Sequence, residues 1–177
     1  RLLLQTSDGG QNWTSKNLNN LAPFANLTSQ SLWPNMSRDG QNMFMNFNKT
    51  LYTMDRSFSI TASSPLPGNN PGRLYFKSAD TGIVIGSSTI HYTSDGGSSF
   101  NKVLQSPRGI FDFQVLSNGY AATSSYDVYF SPDLQGPWQR KNNISAGGFC
   151  LFLKDSKKVC IKPLTFFLSC LKSPSSQ

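Results

Sequence analysis

Thr93-Ser94-Asp95-Gly96-Gly97-Ser98-Ser99-Phe100 lies mid-chain, and Thr6-Ser7-Asp8-Gly9-Gly10-Gln11-Asn12-Trp13 near the start repeats it. Both read Ser/Thr-x-Asp-Gly-Gly-x-x-Trp/Phe. Two adjacent glycines supply the left-handed backbone that a tight hairpin needs. An aspartate just before them accepts hydrogen bonds from the N–H groups of its own turn, and the hydroxyl two residues earlier adds another. The aromatic then starts the next strand with a large area to bury. Every residue of the motif thus has a structural task. The rival reading is a calcium loop or a catalytic acid. Calcium wants six or more oxygen ligands, and this octapeptide offers one carboxylate.

Looser copies lie between and beyond the two intact ones: Thr53-Met54-Asp55, followed by Phe58, and Ser131-Pro132-Asp133, followed by Trp138. The four copies start 47, 40 and 38 residues apart. A second feature keeps phase with them. Turns at Asp39-Gly40, Asp80-Thr81-Gly82 and Asn118-Gly119 begin 14, 13 and 13 residues before Thr53, Thr93 and Ser131. Short apolar pieces lie between turn and triplet, and another precedes the turn, as Leu74–Phe76 and Ile110–Val115 do. Each unit therefore reads strand, turn, strand, turn, strand, Asp-rich turn, aromatic-bearing strand. Four strands in about 40 residues is the size of one β-propeller blade. The predicted fold class is all-β, a partial β-propeller of about three to four four-stranded blades.

In this frame Leu2–Gln5 is the third strand of a blade whose start is absent. The irregular stretch 17–38 supplies the first strand of the next blade, and 61–72, rich in Pro, Gly and Asn, is an inter-blade linker. Residues 73–104 and 108–142 are the clearest blades. Blades are assigned to residues 1–147. Residues 148–177 form a divergent, basic, Cys-containing tail in which Phe149–Leu153 and Val159–Ile161 start a further blade at most, with no blade signal beyond Pro163. Three to four blades fall short of most closed rings, so the chain reads as a piece of a larger propeller.

Composition agrees with strands and turns. All nine acidic residues of the 177 are Asp, which favours turns, and none is the helix-favouring Glu; Phe occurs 13 times. The net charge of +7 is uneven. Residues 140–177 carry seven Lys/Arg against Asp155 alone, whereas residues 1–139 carry nine against eight Asp. A nearly neutral body without a basic, aromatic-lined groove argues against nucleic-acid binding. The run Leu164–Leu171 is too short to span a bilayer. Cys150, Cys160 and Cys170 are spaced by ten, which fits no zinc pattern, and His91 is the sole imidazole. The thiols are read as unpaired, or as one disulfide with a thiol left over. Five Asn-x-Ser/Thr sequons, at Asn12, Asn26, Asn35, Asn48 and Asn143, are possible N-glycosylation sites and permit a secretory location.

The two intact octapeptides resemble the Asp-box (bacterial neuraminidase) repeat. The segment Ser78–Gly97 is similar to the blade signature of photosystem II stability/assembly-factor-like propellers, with Ser88 or Thr89 where that family has glycine and Phe100 where it has tryptophan. The resemblance covers residues 1–142 at most. It implies that Thr6, Asp8, Gly10, Trp13, Thr53, Asp55, Phe58, Thr93, Asp95, Gly97, Phe100, Ser131, Asp133 and Trp138 are structural Asp-box positions. Asp boxes occur in sialidases, sorting receptors and assembly factors alike, so they carry architecture better than activity. A sialidase would need an arginine cluster and a Tyr nucleophile paired with Glu. With no Glu the pair cannot be completed, and nothing in the spacing gives Asp112 or Asp127 a second carboxylate partner. No phosphate loop, serine elbow or metal cluster is present. The function expected is a non-catalytic binding or scaffolding module without cofactor, which holds a protein or peptide through blade loops. The alternatives are a sialidase-like glycoside hydrolase fragment and a sorting or adhesion ectodomain.

Overall fold

The computed structural model describes residues 2–6, 8–17, 20, 24, 33–36, 40, 42–68, 72–125, 127–143, 149–155, 158–163 and 169–172. Seventeen strands occur among them. Strands β1 (Leu2–Gln5) and β2 (Thr14–Asn17) form a two-stranded sheet. Three four-stranded sheets follow: β3 (Trp33–Met36), β4 (Met43–Phe47), β5 (Thr50–Met54) and β6 (Ile60–Pro65); β7 (Arg73–Phe76), β8 (Gly82–Ile85), β9 (Thr89–Thr93) and β10 (Asn101–Gln105); β11 (Ile110–Leu116), β12 (Gly119–Ser124), β13 (Asp127–Ser131) and β14 (Gln139–Asn143). Strands β15 (Phe149–Asp155), β16 (Lys158–Pro163) and β17 (Ser169–Lys172) form a last, three-stranded sheet. Each four-stranded sheet is an antiparallel meander in sequence order, called a blade below.

Period-2 alternation explains how blades stack, because successive side chains leave opposite faces of a strand. From β4, Met43 and Met45 turn one way and join Met54, Phe58 and Phe24 on the side of the first sheet. Phe44 turns the other way and packs with Leu51, Leu66, Leu74, Phe76 and Val84 between the β3–β6 and β7–β10 blades. The Phe44 and Phe76 rings stack there with centroids 3.5 Å apart. From β8, Ile83 and Ile85 join Ile90, Leu104, Tyr120, Ala122, Tyr129 and Leu134 between the β7–β10 and β11–β14 blades. A second strand covered on both faces must be apolar throughout, which is why Gly82-Ile83-Val84-Ile85 is buried at every position. Outer strands are half-solvated: β6 is mostly exposed.

Two differences from the sequence reading stand out. The stretch 61–72 is linker only after Pro65, because Thr61–Pro65 completes β6 and pairs with β5. Its polar Thr-Ala-Ser-Ser run lacks an apolar signal because an outer strand buries little. Beyond Pro163, Ser169–Lys172 pairs with β16 as β17. Strand β15 lies against β11 and β12, as β7 lies against β3 and β4.

Candidate functional site

A meander places its turns at two ends. The turns between first and second strands and between third and fourth strands share one end, the turn end. The turns between second and third strands share the other, the connection end, with the links from blade to blade.

At the turn end sit the four Asp-rich motifs. Thr93 Oγ1 donates to Asp95 Oδ1 at 2.8 Å and accepts from Gly97 N at 2.9 Å. Ser99 donates from N to Asp95 Oδ1 at 2.9 Å and from Oγ to Oδ2 at 2.6 Å. Gly96 and Gly97 have φ of +70° and +91°. The first copy is nearly the same: Thr6 Oγ1 bonds Asp8 Oδ1 and Gly10 N, each at 2.8 Å, and Asn12 donates from N at 2.9 Å and Nδ2 at 2.7 Å to the two Asp8 oxygens. These bonds favour the ionised form. Those from the Ser99 hydroxyl and N–H, then from Thr93, hold the Asp95 pKa at about 2, and those from Asn12, then Thr6, hold that of Asp8 at about 2.

The other two copies are variants. Asp55 accepts from Ser57 N, Ser57 Oγ and Ser59 N at 2.8, 2.7 and 3.0 Å, and the Ser57 hydroxyl and Ser59 N–H lower its pKa. Phe58 takes the left-handed conformation at φ +60° and is buried. Ile60, not Phe58, occupies the position equivalent to Phe100. In the fourth copy Ser131 Oγ donates to the Asp133 carbonyl at 2.6 Å and Gln135 N to Asp133 Oδ1 at 3.2 Å. Trp138 packs half-buried against the core between blades. Trp13, by contrast, is exposed and donates from Nε1 to the Gly10 carbonyl at 3.0 Å.

The Asp95 turn also grips its neighbours. Gly96 N donates to the Asp80 carbonyl at 2.8 Å, which ties the first turn of the blade to the Asp turn. Arg56 Nε reaches the Gly40 carbonyl at 3.0 Å in the preceding blade to the same effect. Ser64 Oγ of the β3–β6 blade donates to the Gly97 carbonyl at 2.6 Å, and Phe100 packs into the core shared with that blade.

At the connection end a cleft of about 300 Å³ opens between β7 and β11, lined by Gly72, Arg73, Ile85, Gly86, Ser87, Ile110, Phe111 and Asp112. Its walls are set by backbone bonds: Gly72 N to the Ile85 carbonyl at 2.9 Å and Ile110 N to the Ser87 carbonyl at 2.7 Å. On its rim Arg73 Nη1 meets Asp112 Oδ1 at 3.2 Å, with the arginine side chain 61% exposed. Phe111 is 49% exposed, one of three large apolar side chains so placed among the described residues. Lys49, in the β4–β5 turn, and Arg108, in the β10–β11 link, add positive charge to this end.

Asp112 and Asp127 are not a carboxylate pair. Asp112 accepts from Arg73 and from Phe113 N. Asp127 is buried and accepts from Arg140 Nε at 2.6 Å and Tyr129 Oη at 3.3 Å, with Ser124 Oγ at 3.4 Å. Tyr129 Oη also meets Ser106 Oγ of the blade link at 3.3 Å. Sequence reasoning missed this network, since Arg140 reads as part of the basic segment. Burial of His91, aided by Lys102, lowers its pKa below the usual histidine value, so the imidazole is neutral at pH 7. Among the described residues no three or more His, Cys, Asp or Glu side chains group to hold a metal ion. No helix among them is long and apolar enough to cross a membrane. Of the sequons, Asn48 lies in the exposed β4–β5 turn and Asn12 in the first Asp turn. Asn35 and Asn143 fall in β3 and β14, and Asn26 lies outside the described residues.

No protein-family model matches the chain, and no curated protein matches it in sequence. Solved structures do match. The computationally designed Ika4 protein has a TM-score of 0.65 at 11% identity over 83% of this chain and 94% of that one. YCF48 from Cyanidioschyzon merolae has 0.64 at 14% identity, over 97% of this chain and 60% of that one. The WD40 β-propeller domain of Doa1 has 0.62 at 12% identity, over 97% and 57%. The likeness is one of fold: the chain is all-β and folds as successive β-propeller blades. It spans about three fifths of the length of the last two.

Proposed function

We propose that the chain is a non-catalytic β-propeller binding module of the Asp-box, assembly-factor-like kind, and that it holds a protein or peptide segment at the connection end. The supporting observation is the cleft between β7 and β11, with the half-exposed Phe111 ring and the exposed Arg73 guanidinium on its rim. An aromatic and an arginine beside an open concavity are the side chains that most often anchor a protein partner. The Asp turns, at the opposite end, serve as structural clamps between strands and blades, and strands β15, β16 and β17 continue the blade array, with β15 against β11 and β12. A glycoside hydrolase is disfavoured because the Asp112 and Asp127 carboxylates are each engaged by their own neighbours.

The test is selection of peptides from a displayed random library on the full chain. Affinities of the selected peptides are then measured against wild type, Phe111→Ala and Arg73→Ala. The proposal expects at least about a tenfold loss in one or both variants, the size of an interface hot spot. Unchanged affinities would move the binding surface elsewhere, and turnover of a fluorogenic sialoside would replace the module with an enzyme.

A further inference from the structure

The three cysteines fall on the three consecutive strands of the last sheet. Cys160 on β16 stands directly opposite Cys170 on β17. Cys150 on β15 stands opposite Lys162, and Cys160 opposite Phe152. Direct cross-strand partners share a face, as do residues two apart along a strand, so Cys150, Cys160 and Cys170 are all placed on one face. Their separations differ. Direct antiparallel partners have Cβ atoms roughly 4.5–5.5 Å apart, whereas diagonal neighbours such as Cys150 and Cys160 are roughly 7–8 Å apart. A disulfide joins Cα atoms about 4.4–6.8 Å apart, a range that covers the roughly 4.5 and 5.5 Å of the two kinds of direct pair. Register therefore selects one pair of the three.

We propose that Cys160 and Cys170 form a cross-strand disulfide that staples β17 to β16, and that Cys150 remains a thiol. With oxidised glutathione as oxidant, the thiolate of one cysteine attacks its S–S bond and releases one glutathione thiolate. The second cysteine then attacks the mixed disulfide and releases the other. Two cysteine thiols give up two electrons and two protons, and one glutathione disulfide becomes two glutathione thiols. The staple matters because, among the described residues, β17 pairs with β16 alone. Its attachment thereby becomes sensitive to the redox state of its surroundings.

The experiment equilibrates the full chain with reduced and oxidised glutathione, blocks free thiols with iodoacetamide, and maps tryptic peptides by mass spectrometry. Trypsin cuts poorly between Lys162 and Pro163, so peptide 159–172 carries both Cys160 and Cys170, while Cys150 leaves on another peptide. The expected result is a 159–172 peptide lighter by two hydrogens and unlabelled, with Cys150 labelled. Because a ten-residue separation also permits closure in an unfolded chain, the same mapping is done in denaturant. The equilibrium constant for this pair should be at least about tenfold larger in the folded chain, reflecting the register-fixed approach. Cys150→Ser should leave the bond in place, and Cys160→Ser should leave both remaining thiols labelled. A bond to Cys150, labelling of all three thiols, equal behaviour with and without denaturant, or protection of all three by added zinc would each overturn the proposal.

Discussion

Replacing Gly97 with alanine places a methyl group where two blades meet. Its Cβ would collide with Leu51 Cδ2 and lie 3.3 Å from Phe100 Cζ. Leu51 is 1% exposed and belongs to the core around Phe44 and Phe76, so it has little room to retreat. Gly97 also has φ +91°, where an L side chain costs about 1–2 kcal/mol. Overpacking adds about 1–3 kcal/mol, for a total of about 2–5 kcal/mol. Gly10 occupies the same position in the first turn at φ +96°, yet a Cβ there meets nothing nearer than Trp13 Cζ2 at 3.7 Å. Gly10→Ala therefore carries the backbone cost alone. The difference between the two variants isolates blade contact at about 1–3 kcal/mol, or about 2–12 °C in melting temperature for a chain of this size. Urea denaturation with a constant m-value measures it. Leu51→Ala, which alone costs about 2–5 kcal/mol, removes the colliding methyl, so the double variant should lose at least about 1 kcal/mol less than the sum of the singles. Equal losses at Gly97 and Gly10, together with additivity with Leu51→Ala, would refute the view that the turn clamps one blade to the next.

Acid stability follows from the turns. The Asp8 and Asp95 carboxylates are depressed from 3.8 to about 2. A depressed carboxylate stabilises the fold above its unfolded pKa and loses that contribution as pH falls through the folded value. Wild type should therefore lose stability between about pH 4 and pH 2 more steeply than Asp95→Ala; parallel acid-unfolding curves would count against this. Arg140→Met leaves the 1%-exposed Asp127 carboxylate without its cation and should cost about 3–5 kcal/mol in urea unfolding. Asp127→Asn keeps hydrogen-bonding capacity toward Ser124 and Tyr129 and should cost less; the reverse order would be inconsistent with a half-exposed arginine neutralising a buried carboxylate. Phe111→Ala, on the open rim, should change stability by no more than about 0.5 kcal/mol; a larger loss would mean that the ring serves packing.

The architecture was legible because a blade is written locally. A turn of fixed chemistry recurs with each blade, and the second strands announce themselves as unbroken apolar runs such as Ile83-Val84-Ile85. Polar outer strands left a weaker trace, so Thr61–Pro65 reads as linker although it pairs along β5. Strand β17 left none, since Ser169-Cys170-Leu171-Lys172 carries no turn signal of the repeat. Relations that depend on distant residues were invisible. Nothing near Gly97 in sequence announces Leu51 or Ser64, and nothing near Asp127 announces that Arg140 reaches back along the next strand. The candidate site fared in between: Asp112 stood out as a carboxylate, but its ion pair with Arg73 and the cleft beside it are products of stacking.

The two ends of the blades divide the labour, one holding the fold together and the other binding, and a paired comparison separates them. Melting temperature and affinity for a library-selected peptide are measured side by side for Asp95→Ala and Phe111→Ala. Asp95→Ala should melt lower and still bind, whereas Phe111→Ala should melt as wild type does and bind at least about tenfold more weakly. Loss of binding in Asp95→Ala at an unchanged melting temperature would contradict this division.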